Sequence, residues 1–130
     1  MSAKFELSLL RDAFVVCRLD ASTPVPAWAL EPAAFAAVTR TEDELSIICR
    51  EDRAPQGIAA PDRWRALRVH GPFPPEVIGV LSTLALPLAT ARVSLLAIST
   101  HDTDYLFVRS AELAHAVRVL RHEGHVVHLI

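Results

Sequence analysis

The sequence has little of what defines several large protein classes. Its two cysteines, Cys17 and Cys49, are too few for a disulfide framework. Each lies in an aliphatic run, where a free thiol behaves as a small buried hydrophobe. Thirteen basic and fifteen acidic residues give a net charge of −2, so the basic excess typical of nucleic-acid binders is missing. No apolar run reaches the roughly 18 residues of a membrane-spanning helix.

Aromatic residues are also scarce, at 6% of the 130 residues, whereas hydrophobic residues make up 52% and charged residues 22%. This composition excludes global disorder and predicts a core built from Val, Ile, Leu and Ala. The N-terminal apolar stretch is interrupted by Arg11 and Asp12 and has no small-residue cleavage site. We therefore expect no signal peptide, no membrane association and a cytoplasmic location.

The segment at residues 51–63, EDRAPQGIAAPDR, has two prolines, one glycine and no apolar periodicity, which is typical of a loop. It predicts an N-terminal unit over residues 1–62 and a C-terminal unit over 63–130. The first half is expected to form short strands at Phe5–Leu10, Phe14–Leu19, Phe35–Arg40 and Glu44–Arg50. A helical turn is predicted at Ala27–Leu30 and a tight turn at Thr41–Asp43. No long helix is expected there, so this unit is irregular.

The second half has a clearer pattern. Alternation of Leu67 and Val69 with polar neighbours predicts a strand over Trp64–Gly71. A helix is predicted over Glu76–Thr90, with a buried stripe formed by Val77, Leu81, Leu84 and Leu88. Pro87 is expected to kink this helix or end it early. The apolar run Val93–Ser99 predicts a central strand.

After a polar turn over residues 101–104, Tyr105–Arg109 is predicted to form another strand. Ser110 is expected to cap a second helix, and Gly124 is expected to be the residue just past its end. The buried stripe of that helix is predicted to comprise Leu113, Ala116, Val117 and Leu120. His125–Ile130 closes as a strand. The order β-α-β-β-α-β predicts an α+β, ferredoxin-like fold for residues 63–130.

Three kinds of function find little support in the residues. Tyr105 and Phe107 alternate on a strand, but the basic, glycine-flanked pattern of an RNA-binding sheet is absent. The reactive side chains of Ser99, Thr100, His101 and Asp102 are chain neighbours and cannot point at one another as a catalytic triad requires. We therefore expect neither an enzyme nor a nucleic-acid binder.

A metal site is the third of these. Its candidate ligands are His115, His122, His125 and His128, and no cysteine or acidic residue completes the set. His125 and His128 are expected on opposite faces of a strand, because their separation is odd. We interpret these histidines as surface residues and expect no metal and no cofactor.

A small-ligand site has more support. Gly79 is placed in the first turn of the first long helix, where free N–H groups and the helix dipole suit a carboxylate. Thr100 and Asp104 flank the following strand-end turn and offer a hydroxyl and a carboxylate to a cationic group. Together these groups match an amino acid. Equally, Gly79 could only relieve crowding, and Thr100 and Asp104 could only shape the turn.

The strings Gly79-Val80-Leu81, Ala85-Leu86-Pro87-Leu88 and Ile98-Ser99-Thr100, followed by Asp104 and Val108, resemble the ACT-domain family. They are most similar to its small bacterial tandem-ACT members related to the CASTOR amino-acid sensors. Upstream, Val16-Cys17-Arg18-Leu19, Pro26-Ala27-Trp28 and Trp64-Arg65-Ala66-Leu67 also resemble that branch. The resemblance thus covers nearly the whole chain.

The resemblance implies two tandem ACT units and a non-enzymatic regulatory role with an unknown protein target. A small molecule, typically an amino acid, would be held where ACT units of a homodimer meet. The ligand-binding residues implied in one unit are Ile78, Gly79, Val80, Thr100 and Asp104. Ser94 and Leu95 would be supplied by the facing unit of a second copy.

One position departs from the arginine-sensing members. Val77 stands where they have an acidic residue, so guanidinium recognition is not implied. Two further readings stay open: a structural or protein-interaction domain without a ligand, and, with less support, a small enzyme or RNA binder.

Overall fold

The computed structural model describes residues 3–74 and 76–130. Over these residues, the strands are β1 Glu6–Leu19, β2 Ala37–Arg40, β3 Leu45–Arg50, β4 Trp64–Val69, β5 Leu96–Ser99, β6 Asp104–Arg109 and β7 Val126–His128. The α-helices are α1 Val80–Thr90 and α2 Leu113–His122, and short 3-10 turns lie at Ala27–Leu30 and Ser110–Glu112. No helix among the described residues has the length and apolar character needed to span a bilayer.

The chain packs as two compact units. The smaller unit is Asp12–Trp64, and the larger unit joins the described residues up to Arg11 with Arg65–Ile130. β1 therefore belongs to the larger unit at its start and to the smaller unit over the rest of its length. The division into domains between residues 62 and 63 stays a prediction, but the packing groups residues 3–11 with the second half of the chain.

The smaller unit is a three-stranded antiparallel arrangement. β3 pairs with β1 from Phe14↔Arg50 to Leu19↔Leu45, and β2 pairs with the opposite edge of β3. Its core is formed by Val15, Cys17, Ala29, Leu45, Ile47 and Cys49. All its residues are described and none is in an α-helix, as expected for an irregular unit. The predicted helical turn at Ala27–Leu30 is confirmed.

Two strand predictions in the first half are corrected. Phe5–Leu10 and Phe14–Leu19 are one continuous strand, because the charged side chains of Arg11 and Asp12 do not interrupt backbone pairing. β2 begins at Ala37, so Phe35 lies before it. Phe35 is nevertheless buried, edge-on to Phe14 with 6.1 Å between ring centroids.

Both cysteines are buried and free, which confirms their interpretation as small hydrophobes. Burial raises the pKa of the Cys17 thiol and raises that of Cys49 to about 11. The nucleophilic thiolate is therefore suppressed at neutral pH.

The larger unit confirms the predicted β-α-β-β-α-β order, as β4-α1-β5-β6-α2-β7. β6 lies between β4 and β5, and β1 lies beside β4. β7 pairs in parallel with β1, in the register Leu7↔Val127. The last strand of the unit thus depends on residues from the start of the chain.

Both helices pack against one face of these strands. The fully buried residues of the shared core include Leu7, Leu67, Val69, Leu84, Leu88, Leu106, Val108, Ala116 and Leu120. The predicted stripe of α2 is confirmed at Ala116, Val117 and Leu120, with Leu113 packed partly against the core. Gly124, with φ 91°, follows the helix end as predicted.

The first helix begins later than predicted. α1 starts at Val80, so its buried stripe is Val80, Leu84 and Leu88, while Val77 and Leu81 are exposed. The helix continues to Thr90, three residues beyond Pro87, so the proline does not end it.

Three further expectations for the second half are wrong. β5 is a four-residue strand at the end of the strand order rather than a central strand. Ser110 lies in a 3-10 turn and does not cap α2, whose N-cap position is Glu112. β7 covers only Val126–His128.

Candidate functional site

The backbone before α1 turns sharply at Gly79. This residue occupies the N-cap position with φ 80° and ψ 7°, a left-handed conformation that glycine adopts at little cost. It therefore precedes the helix rather than lying in the first turn. No side chain caps α1, and its first turn begins with N–H groups that have no intrahelical acceptor. The positive end of the helix is open toward the neighbouring loop.

The turn between β5 and β6 faces this helix start. The Thr100 N–H donates to the Thr103 carbonyl at 2.8 Å, and the Thr103 N–H donates to Thr100 Oγ1 at 3.2 Å. Asp104 is the first residue of β6 and pairs with Ser99. The Ser99 hydroxyl donates to Asp104 Oδ1 at 2.5 Å. This bond holds one oxygen of the Asp104 carboxylate in place.

The same turn is tied to the segment that follows β4. The Thr103 hydroxyl donates to the Val69 carbonyl at 2.6 Å, and the Phe73 N–H donates to the Asp102 carbonyl at 3.0 Å. A Cβ on Gly71 would lie 2.8 Å from the Asp102 carbonyl oxygen, so only glycine fits against the turn. Gly71 and Phe73 are not among the residues predicted from the sequence, although the glycine and prolines of GPFPP indicate special backbone geometry there.

A cleft of about 490 Å³ opens between the start of α1 and this turn. Four of the seven predicted site residues line it: Gly79, Val80, Thr100 and Asp104. The other described lining residues are Phe73, Pro74, Val77, Leu81, Ser99, His101, Asp102 and Thr103.

The other three predicted residues lie outside this lining. Ile78 is beside the cleft and 89% exposed. Ser94 and Leu95 lie just before β5, where the Ser94 N–H donates to Glu112 Oε2 at 3.3 Å.

The charged side chains that line the cleft are mainly acidic. Asp102 and Asp104 supply carboxylates, and no lysine or arginine is among the described lining residues. Nδ1 of His101 lies 3.0 Å from Asp102 Oδ1, and that imidazole is fully exposed. An anionic group in the cleft would therefore depend on the N–H groups of α1, and a cationic group on the carboxylates.

The described side chains around this turn form neither a catalytic nucleophile site nor an RNA-base stacking surface. Ser99 donates to Asp104 rather than to His101, so these side chains form no nucleophile–base pair. Phe107 is fully buried and is not available to stack on a base.

The interpretation of all four histidines as surface residues is wrong for His125, which is 4% exposed. His128 is exposed, so the two side chains lie on opposite faces, as predicted.

Comparison with known proteins identifies the family. Residues 59–122 match the ACT domain, and residues 12–57 match a second family described as an N-terminal domain. Protein Atu0741 from Agobacterium tumefaciens, a crystal structure, has 35% sequence identity over 99% of this chain and 96% of its own, with a TM-score of 0.92. The chain is an ACT-domain protein of the Atu0741 family.

Two more distant structures share the fold of this ACT-domain protein. VC0802 from Vibrio cholerae, described as a protein of unknown function and possible transport protein, is 20% identical over 92% of this chain and 90% of its own, with a TM-score of 0.75. Aspartate kinase from Clostridium acetobutylicum, described as an allosteric enzyme, is 9% identical over 87% of this chain and 33% of its own, with a TM-score of 0.61. No curated protein matches the sequence significantly.

The cleft lies within the part of the chain that includes the ACT match, since α1, β5 and β6 all fall inside residues 59–122. An ACT domain suggests regulatory binding of a small molecule, and these comparisons identify no catalytic domain.

Proposed function

We propose that this ACT-domain protein is a non-enzymatic regulatory module, related to the CASTOR amino-acid sensors, that binds an amino acid in the cleft described above. The observation that carries the proposal is the convergence of Gly79, Thr100 and Asp104 on one cleft. These residues come from a helix start and from both sides of a strand turn. The cleft volume of about 490 Å³ is within the usual range for small-molecule sites.

The ligand's carboxylate binds at the start of α1. The N–H groups of the first turn point out of the helix end, where the dipole favours negative charge. Gly79 lets the ligand approach the backbone closely, because it has no side chain. With no lysine or arginine among the described lining residues, this helix end is the main source of positive potential.

The ligand's ammonium group binds opposite, at Asp104. Oδ1 of Asp104 is held by Ser99, which orients Oδ2 for a charge-assisted hydrogen bond. The Thr100 hydroxyl lies at the same cleft and adds a polar contact. Val77 and Leu81 contribute apolar surface, which favours an uncharged ligand side chain over a guanidinium group.

The site is completed by a second copy of the chain. Ile78 beside the cleft is 89% exposed, and Val77 and Leu81 in its lining are 41% and 38% exposed, which is apolar surface that a partner would cover. β5 is a sheet edge, and an open edge can pair with the same edge of another molecule. Ser94 and Leu95 immediately precede it and would reach the partner's cleft.

Differential scanning fluorimetry against the twenty amino acids tests this function. Saturation at 100 times the dissociation constant stabilises the folded state by about 2.7 kcal/mol, which raises the melting temperature by several degrees. Asp104→Asn keeps the Ser99 hydrogen bond but removes the charge, so it should abolish the shift. Asp20→Asn, in the smaller unit, is the matched control. A lack of any shift, or an equal shift in Asp104→Asn, would contradict the proposal.

A second candidate is a protein-interaction domain without a small ligand. The observation that favours it is an apolar groove of about 620 Å³ between α1 and α2, beside the 68%-exposed Leu86. Sizing chromatography with multi-angle light scattering separates the candidates when combined with the amino-acid screen. A dimer that binds no amino acid supports the interaction domain, and a monomer removes the two-copy site.

A further inference from the structure

A second polar cluster lies on the sheet face opposite the helices. Leu7 and Val127 are buried in the core of the larger unit, so their neighbours Glu6 and His128 project from the other face. The parallel register of β1 and β7 brings these two strands side by side. His70 follows β4, and its N–H donates to the Glu6 carbonyl at 2.8 Å. Three chain segments therefore deliver Glu6, His70 and His128 to one place.

The donor atoms of these side chains converge. Glu6 Oε2 lies 2.9 Å from His128 Nε2 and 3.5 Å from His70 Nδ1. One ligand atom from each residue lies within 4.8 Å of the other two, the one such group among the described residues. The two imidazole rings are stacked with 5.5 Å between centroids. The stacking holds both rings against the same carboxylate.

A fourth side chain orients His70. Ser8 Oγ lies 2.6 Å from His70 Nε2. When the Nε2–H donates to this hydroxyl, Nδ1 carries the lone pair and faces Glu6. Metal-binding histidines are commonly oriented in this way, through a hydrogen bond from the ring nitrogen that does not bind the ion.

We propose that Glu6, His70 and His128 form a binding site for a divalent zinc-type metal ion, with water completing the coordination. Zinc binds imidazole nitrogen and carboxylate oxygen at about 2.0–2.2 Å, and tetrahedral geometry then separates two ligand atoms by about 3.4 Å. The N–O distances of 2.9 and 3.5 Å bracket this value. An ion would replace the proton shared by His128 and Glu6. Two imidazoles disfavour calcium and magnesium, which prefer oxygen.

The side chains are half-buried to exposed, at 55% for Glu6, 50% for His128 and 36% for His70, so an ion can enter from solvent. This metal site is separate from the amino-acid cleft, and neither proposal depends on the other. A bound ion would link β1, β7 and the end of β4, because Glu6, His128 and His70 come from these three places. It would thus hold the start of the chain to the second half.

Isothermal titration of the tag-free full chain with zinc tests the site. We expect one ion per chain and a rise in melting temperature that EDTA reverses. Cobalt(II) used as a second probe should give the intense visible absorption of a tetrahedral complex. Glu6→Gln, His70→Asn and His128→Asn each remove a direct ligand and should weaken zinc binding by more than the roughly tenfold loss typical of an outer-shell contact. Ser8→Ala should weaken it less, because it removes only the orienting contact.

His122→Asn, which changes an exposed histidine on α2, is the control and should bind zinc like the unaltered chain. Circular dichroism in EDTA establishes that each variant is folded before titration. Absence of saturable binding would overturn the proposal. Equal affinity in His70→Asn and the unaltered chain would also overturn it, because binding would then occur elsewhere.

Discussion

At the scale of single residues, His125 is a titratable side chain that lies buried, with 4% of its surface exposed. Its Nδ1 accepts the Phe5 N–H at 3.1 Å, and its ring stacks on Phe5 with 5.8 Å between centroids. Burial, and then the charge of Lys4, hold the pKa of His125 below its usual value, with Glu123 opposing. The folded state therefore favours the neutral form of the His125 imidazole.

Acidification should consequently destabilise the protein through His125. The pKa is lower in the folded than in the unfolded state, so the contribution to stability is present above the unfolded pKa of about 6.5 and is lost as pH falls through the folded value. Melting temperatures measured between pH 7.5 and pH 5 check this. His125→Leu should lower the melting temperature at pH 7.5 but flatten its dependence on pH, whereas His122→Ala should leave that dependence unchanged. If the melting temperature of His125→Leu depended on pH as strongly as that of the unaltered chain, the proposed role of His125 would be wrong.

At the scale of secondary-structure elements, the start of α1 determines the geometry of the cleft. An added Cβ on Gly79 would meet Ser82 Oγ at 3.7 Å and Thr83 Oγ1 at 4.0 Å, which are ordinary contacts, so space does not exclude a side chain there. The constraint is the backbone, because φ 80° is a conformation that costs other residues about 1–2 kcal/mol. Gly57 offers a matched case, with φ 84° and nothing within 4 Å of its Cβ position.

Gly79→Ala and Gly57→Ala should therefore lower the free energy of unfolding by similar amounts, about 1 kcal/mol, because the backbone strain is partly offset by the lower entropy of the unfolded chain with alanine. Only Gly79→Ala should weaken amino-acid binding, because only Gly79 lines the cleft. Chemical denaturation and the ligand-induced melting shift measure the two effects separately. A loss of ligand response in Gly57→Ala would mean that general destabilisation, rather than the helix start, controls binding.

The elements that the sequence predicted well are those with a strong periodic pattern. The stripe of α2 is confirmed, because burial of one face selects its apolar residues. In β4, Leu67 and Val69 are buried as predicted, but Trp64 and Ala66 are buried as well, so burial is not confined to one face of this strand. β5 was misplaced because an apolar run resembles a buried strand, although here it forms a sheet edge. The start of α1 was misplaced because Val77 has helical spacing but lies outside the helix.

The candidate site could be predicted only for residues that lie close together in the sequence or match the family pattern. Gly79, Thr100 and Asp104 lie within 26 positions, and the resemblance to the ACT family joined them. The hydrogen bond from Phe73 to Asp102 depends on tertiary approach that no local pattern reveals. The same holds for Glu6 and His128, which are 122 positions apart and meet only because β1 and β7 pair. Because Glu6 lies so far from the histidines in the sequence, no acidic ligand for them could be recognised there.

At the scale of the whole molecule, the start of the chain completes the second half. Leu7 is fully buried in the core of the larger unit, and β7 pairs with β1 at Glu6–Ser8. The Val126 N–H donates to the Phe5 carbonyl at 3.0 Å. A fragment that starts at residue 63 would lose all of these interactions. The boundary predicted from the sequence therefore cuts through the compact unit that the structure shows.

A fragment of residues 63–130 should therefore be much less stable than one in which residues 1–11 are joined to 65–130 by a short glycine-serine linker. Such a linker suffices because Arg65 Nη2 donates to the Leu10 carbonyl at 3.1 Å, which places the two ends close together. Loss of a buried leucine alone costs about 2–5 kcal/mol, and the unpaired groups of β7 add to that cost.

Thermal melts followed by circular dichroism compare the two fragments, with Leu7→Ala in the joined fragment as an intermediate case. We expect a cooperative transition in the joined fragment and a weak or absent one in residues 63–130. Equal melting temperatures would mean that β7 needs no partner strand. Failure of the joined fragment to fold would mean that the larger unit requires residues 12–64, and that the chain has one cooperative unit rather than two.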